Sequence, residues 1–211
     1  MVPTLTIPTL PRRVARAVAN RVRDVVARRT APPVVLAVRR ERLTRLTPRA
    51  LAELHECVVE AEEASREGVV VTVGEATGGA AIVLADARSS ARAVCVYGVS
   101  GERPALTAAL ARHGCAPDAS RVSLHDGLPD AQGAPVAVGH LATRDPEALR
   151  AALAALVGRL VPGGVIVVDA YPIPACRAVV EALRGDLRPV QRAAVHLVSE
   201  PGRATRPPLS G

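Results

Sequence analysis

From residue 69 onward the chain alternates two rhythms. Short unbroken apolar runs at 69–73, 93–97, 122–124, 136–138 and 165–168 are separated by stretches of helical spacing at 80–87, 104–113, 146–160 and 175–183. Apolar runs without polar interruption are strands buried on both faces, and their alternation with helices predicts a parallel sheet covered on both sides, a Rossmann-like α/β fold. Residues 190–198 add one or two short strands. Ahead of the first strand, Thr47-Pro48 opens a helix running through Leu51, Leu54 and Val58 toward Gly68, with threonine as N-cap and proline in the first turn. Further upstream, Val14, Val18, Val22, Val25 and Val26 recur at helical spacing among arginines, which predicts an amphipathic helix over 12–29. Residues 30–33, with Pro32-Pro33, read as a linker.

This divides the chain into an arginine-rich helical extension (1–33), an α/β domain (34–200) and a disordered tail (201–211). The 211 residues suffice for one core burying roughly 70% of the unfolded surface without a metal or disulfide. The four cysteines, Cys57, Cys95, Cys115 and Cys176, show no CxxC spacing, which fits a reduced, cytoplasmic protein. The net charge is +7, yet every basic residue is arginine and lysine, phenylalanine and tryptophan are absent. A GC-rich coding bias accounts for such a composition. With so few rings to stack on bases, no nucleic-acid partner is expected. No apolar run reaches the ~18–20 residues of a membrane span.

Ligands of open α/β sheets bind beyond the carboxyl ends of the strands, so the chemistry is sought there. The first strand ends in Thr72-Val73 and passes into Gly74-Glu75-Ala76-Thr77-Gly78-Gly79. The second is followed by Gly98, the third by His125-Asp126-Gly127, the fourth by His140-Leu141-Ala142-Thr143-Arg144-Asp145 and the fifth by Asp169-Ala170-Tyr171. Glycines permit tight turning and close approach to a ligand. His140 has the titration range of a general base, while a structural role fits it equally. His125 and Asp126 are adjacent and would point opposite ways, which argues against an acid–base pair.

Over residues 43–198 this layout resembles the class I S-adenosylmethionine (SAM)-dependent methyltransferases, and within them the macrocin O-methyltransferase type. The resemblance rests on Leu46-Thr47-Pro48-Arg49-Ala50-Leu51-Ala52-Glu53-Leu54, the glycine motif from Val73 to Gly79, Tyr97-Gly98, His140-Leu141, and above all Pro162-Gly163-Gly164-Val165-Ile166-Val167-Val168-Asp169-Ala170-Tyr171. It implies SAM as cofactor, with Thr72, Gly74, Glu75, Gly78 and Gly79 at its methionine end, Gly98 at the ribose and Asp126 and Gly127 at the adenine. His140 and Asp169 would face a small-molecule acceptor hydroxyl, and Tyr171 would pack nearby.

The departures fall on acids. The family carries an acid at Thr72, an aspartate at Gly98, an H-x-D-x-D pattern over His140–Arg144 and paired aspartates at Asp169-Ala170. One carboxylate in register, with Asp145 one residue beyond the pattern and Arg144 beside it, is a poor site for a hard cation, so no divalent metal is expected. Two readings stay open: an O-methyltransferase of small natural-product or sugar hydroxyls, weakened by these losses, and a non-catalytic partner or scaffold protein. The N-terminal helix leaves room for a homo-oligomer.

Overall fold

The computed structural model describes residues 26, 29–75, 77–89, 91–99, 101–117 and 120–200. The helix expected over 12–29 lies outside them apart from Val26 and Arg29, and so does the tail 201–211. The double proline is a helix start rather than a linker. Pro32 is the extended N-cap of α1 (Pro33–Arg40) and Pro33 its first residue, where a missing N–H breaks no intrahelical bond. Val34, Val35 and Val38 of α1 are buried. Their helical character was hidden by a run of five apolar residues with no polar period.

Helix α2 (Pro48–Glu63) begins where the sequence predicts it, Thr47 Oγ1 accepting from the Ala50 N–H at 3.1 Å. It buries Leu51, Leu54, Cys57, Val58 and Ala61, one stripe at helical spacing; each large apolar side chain so placed stabilises the fold by about 1.5–3 kcal/mol. Then β1 (Val69–Val73), α3 (Gly79–Ala87), β2 (Val94–Tyr97), α4 (Arg103–Arg112), β3 (Val122–His125), β4 (Val136–Leu141), α5 (Pro146–Val157), β5 (Leu160–Val168), α6 (Pro174–Leu183), β6 (Arg188–Gln191) and β7 (Val195–Val198) follow.

The strands form one seven-stranded sheet in the order β3-β2-β1-β4-β5-β7-β6. It is parallel from β3 to β5, and β7 runs antiparallel to both β5 and β6. One face packs on α1–α4 and the other on α5 and α6. Helix α3 is apolar all round and is buried from Gly79 to Ala85, because α1 and α2 cover its outer side. Among the described residues no helix is long and apolar enough to cross a membrane, and all four cysteines are unpaired.

Several boundaries differ from expectation: strand β3 runs to His125, which therefore lies inside the strand rather than after it. Strand β4 runs to Leu141, so His140 lies inside the strand rather than after it. Strand β5 begins at Leu160 and α5 ends at Val157, because a register shift at Val136–Val138 lets Val136 pair with Leu160.

Candidate functional site

The sheet register joins residues far apart in sequence. Thr72 of β1 stands opposite His140 of β4, and Asp169 follows the last residue of β5, its N–H donating to the Leu141 carbonyl at 3.1 Å. Thr72 Oγ1 lies 2.9 Å from His140 Nδ1, and His140 Nε2 lies 2.8 Å from Asp169 Oδ2. Both ring nitrogens of the completely buried histidine are therefore satisfied. The carboxylate accepts, which fixes a proton on Nε2. Thr72 donates to Nδ1 of the neutral ring and accepts from the imidazolium. Thr72 is itself fully buried, so its hydroxyl serves the histidine. The one outlet of this line is Asp169, whose side chain keeps 17% of its surface exposed.

Glu75 completes the cluster. Burial pushes its pKa up, against the pull of the His140 charge, the Thr77 hydroxyl and the Ala80 N–H. Burial opposes the charged form of His140, but the Asp169 charge and hydrogen bond, with the Glu75 charge, outweigh it, and the imidazole pKa is raised. The hydrogen bonds point the same way. Thr77 Oγ1 lies 2.6 Å from the Leu43 carbonyl and 3.1 Å from Glu75 Oε1, and its single proton can go to only one of them. A protonated Glu75 closes a chain from its own O–H through Thr77 to Leu43.

Leu43 also accepts the Gly79 N–H at 2.9 Å, and it comes so close that any Cβ at position 79 would overlap its oxygen. The tight loop after Gly78, the left-handed N-cap of α3, is thus occupied by the chain itself on that side. On the other side the loops leave space. A Cβ on Gly127 would meet nothing within 4 Å, and one on Gly98 would meet only Gly74 and Gly127 backbone atoms at 3.5–4.0 Å. Gly98 and Gly127 therefore border an open trough beyond β2 and β3, whereas a Cβ on Gly74 would press on Thr143 at 3.0–3.2 Å. The N–H groups of Gly74 and Gly98 are spent on the carbonyls of Tyr97 and His125, at 3.1 Å each, so they give the trough its shape rather than its donors.

Other expected residues stand apart from this cluster. Asp126 is exposed and pairs with Arg103 at 3.1 Å. His125 stacks on Tyr97, ring centroids 4.6 Å apart and 17° between planes, and its Nε2 meets Ser123 Oγ. The stack forms an aromatic wall at the ends of β2 and β3 that no sequence motif marked. Tyr171 donates to Glu181 at 2.6 Å and lies under the Arg177 guanidinium, tied to α6. Asp145 is the N-cap of α5, accepting the Ala148 N–H at 2.9 Å, and Arg144 is exposed. With Asp145 so engaged and Asp169 bound to His140, the donor set does not fit a divalent cation, which wants several free oxygens. Among the described residues no group of three or more His, Cys, Asp or Glu side chains is arranged to hold a metal.

No protein-family model matches the chain, and no curated protein matches it. Solved structures do. The O-methyltransferase NovP superposes with a TM-score of 0.58 at 21% identity, over 74% of this chain and 82% of that one. The SAH-bound methyltransferase PaMTH1 of Podospora anserina gives 0.65 at 11% identity, over 92% and 98%. The O-methyltransferase TomG of Streptomyces achromogenes, involved in tomaymycin synthesis and solved with SAM, gives 0.53 at 18% identity, over 79% and 87%. The chain has the class I SAM-dependent methyltransferase fold.

Proposed function

We propose that the protein is a SAM-dependent O-methyltransferase of a small-molecule hydroxyl, of the macrocin type, with Asp169 as the acceptor-side carboxylate. The observation that carries this reading is the hydrogen-bonded line Thr72–His140–Asp169, which ends at the carboxyl edge of the sheet, the edge on which the turns of Gly74, Gly98 and Gly127 also lie. SAM, when bound, supplies an electrophilic methyl on a sulfonium. The loop Gly74–Gly79, with Thr72 and Glu75 beneath it, would hold the methionine end, Gly98 the ribose, and Asp126 and Gly127 the adenine side.

Oδ2 of Asp169 is held by His140, which leaves Oδ1 for the acceptor O–H. Asp169 Oδ1 would take the acceptor hydroxyl proton during methyl transfer. His140 is a positioning residue here: enclosed on all sides, it acts through Asp169 by fixing the carboxylate's orientation. Positioning of this kind supplies much of the rate in a simple displacement. Burial raises the Glu75 pKa, which weakens its competition as a charge beside Asp169.

The test is calorimetric titration with SAM, followed by transfer of a labelled methyl to a panel of hydroxylated sugars and phenols, in the parent and in Asp169→Asn. Saturable SAM binding in both, with transfer lost only in the variant, supports the proposal. Folded protein with no SAM binding would instead mark a non-catalytic member of the fold.

A further inference from the structure

The β6–β7 hairpin carries the sheet past helix α2, which packs over β4 and β5. Alternation along β6 places Arg188 and Val190 on the face that α2 covers elsewhere, beside Val198 and His196 of β7, and Arg192 follows just past the strand end. The result is a cavity of about 260 Å³ between α2 and the hairpin. Arg66, Arg188 and Arg192 line it, with Glu60 as the one carboxylate among the lining residues.

Several arginines of this fold are structurally engaged, while others, Arg40, Arg42, Arg45 and Arg144 among them, are exposed on the surface. Arg92 binds Glu62 and the carbonyls of Gly68 and Arg66, and Arg159 binds those of Ala134 and Asp130. Among the described residues, the guanidinium groups of Arg66, Arg188 and Arg192 have no hydrogen-bond or ion-pair partner. Gly163, lacking a Cβ, leaves the space in which the Arg66 side chain lies.

The inner wall is unsatisfied as well. His196 is only 2% exposed, yet its Nε2 lies 3.7 Å from Glu53 Oε2, too far for a hydrogen bond, and has no other partner. Its Nδ1 lies 3.8 Å from Cys57 Sγ, a weak contact. Three guanidinium groups without a partner, gathered on one cavity whose wall includes this weakly held ring, are an arrangement that a ligand completes.

We infer that this cavity binds a small molecule through an oxyanion, a phosphate or carboxylate group gripped by Arg188 and Arg192 at the rim and Arg66 beneath. Guanidinium groups match such oxyanions with paired N–H donors, and the valine floor accepts an apolar remainder. The size suits a metabolite, and the cavity offers no ring on which a nucleic-acid base could stack.

The site is tested on the full chain by calorimetry at about pH 8, where phosphate is largely a dianion. Sodium phosphate and sodium malonate are titrated separately against sodium chloride of equal ionic strength. Saturable binding by phosphate alone assigns a phosphate ligand, and by malonate alone a carboxylate. The Arg188→Ala/Arg192→Ala double variant should weaken it roughly tenfold or more. Arg188→Ala alone should give a smaller loss in the same direction, and Arg150→Ala, exposed on α5 outside the cavity, none. Both rim arginines are exposed, Arg188 on the edge strand and Arg192 just past it, and a melting curve checks that the variants fold. No saturable binding of either probe, or binding that survives in the folded double variant, overturns the inference.

Discussion

Two buried histidines stand on one face of the sheet, both paired with Val167 of β5, one from each side. His140 of β4 has a partner at each nitrogen, whereas His196 of β7 has neither a full hydrogen bond to Glu53 nor a strong one to Cys57. The difference lies in what the neighbouring strand offers. Position 72 of β1 brings a short hydroxyl into the row beside His140, and position 169 a carboxylate just past β5; beside His196, position 190 of β6 brings a valine. A polar group in a sheet interior is stabilised only where the register delivers its partners.

Replacing both histidines by the same apolar residue breaks this comparison most directly. His140→Leu strands the Thr72 hydroxyl and the inner oxygen of Asp169, and urea unfolding should show a loss of about 3–5 kcal/mol. His196→Leu removes a ring held only by the 3.7 Å contact to Glu53 and the weak thiol contact to Cys57, and should change stability by no more than about 1 kcal/mol. Equal losses at the two sites would show that the hydrogen bonds of His140 are not what distinguishes them.

Thr72→Val is isosteric and removes only the hydroxyl, leaving His140 Nδ1 without a partner. The same denaturation measurement should lose about 1–3 kcal/mol, less than His140→Leu. A neutral or stabilising outcome would return Thr72 to the reading of a lost acid with no new role.

The two sites should also differ in the sign of their pH dependence. Glu75 and His140 have folded pKa values above the ordinary 4.5 and 6.5. Their stabilisation is complete below those ordinary values and is lost as the pH rises through the higher folded ones. Glu53 is the reverse: burial pushes its pKa up, but His196, the Ala193 N–H and Arg49 bring it below 4.5, so its stabilisation is lost as the pH falls. Melting temperatures of Glu75→Gln and Asp169→Asn should therefore fall less steeply with rising pH than the parent's, while Glu53→Gln should flatten only the acid limb. Parallel curves for all four proteins would contradict this assignment.

The smallest effect concerns metal. Because Asp169 is bound to His140 and Asp145 caps α5, added Mg²⁺ or a chelator should shift SAM affinity or transfer by less than about threefold. A strict magnesium requirement would mean that Asp169 leaves His140 in the working state.

Much of the fold was legible because its signals are local. The valine runs, the glycine loops after the strands and the Thr47-Pro48 helix start depend on near neighbours and on a period of 2 or 3.6 residues, and each lies where the sequence indicated. Helix α1 was not legible, since its five apolar residues carry no period of their own and its helicity comes from packing on α2 and α3. Position 72 reads in the sequence as a missing acid. In the sheet it is the partner of a histidine 68 residues away, and that histidine meets an aspartate 29 residues further on. The unpaired arginines of the second cavity likewise look like the chain's general surplus until β6 and its end bring two of them to one cavity. Composition and period determine which elements form, because those forces act over a few residues. Which polar groups meet, and which are left waiting for a ligand, was decided only by the register between strands, set by the packing of the whole sheet.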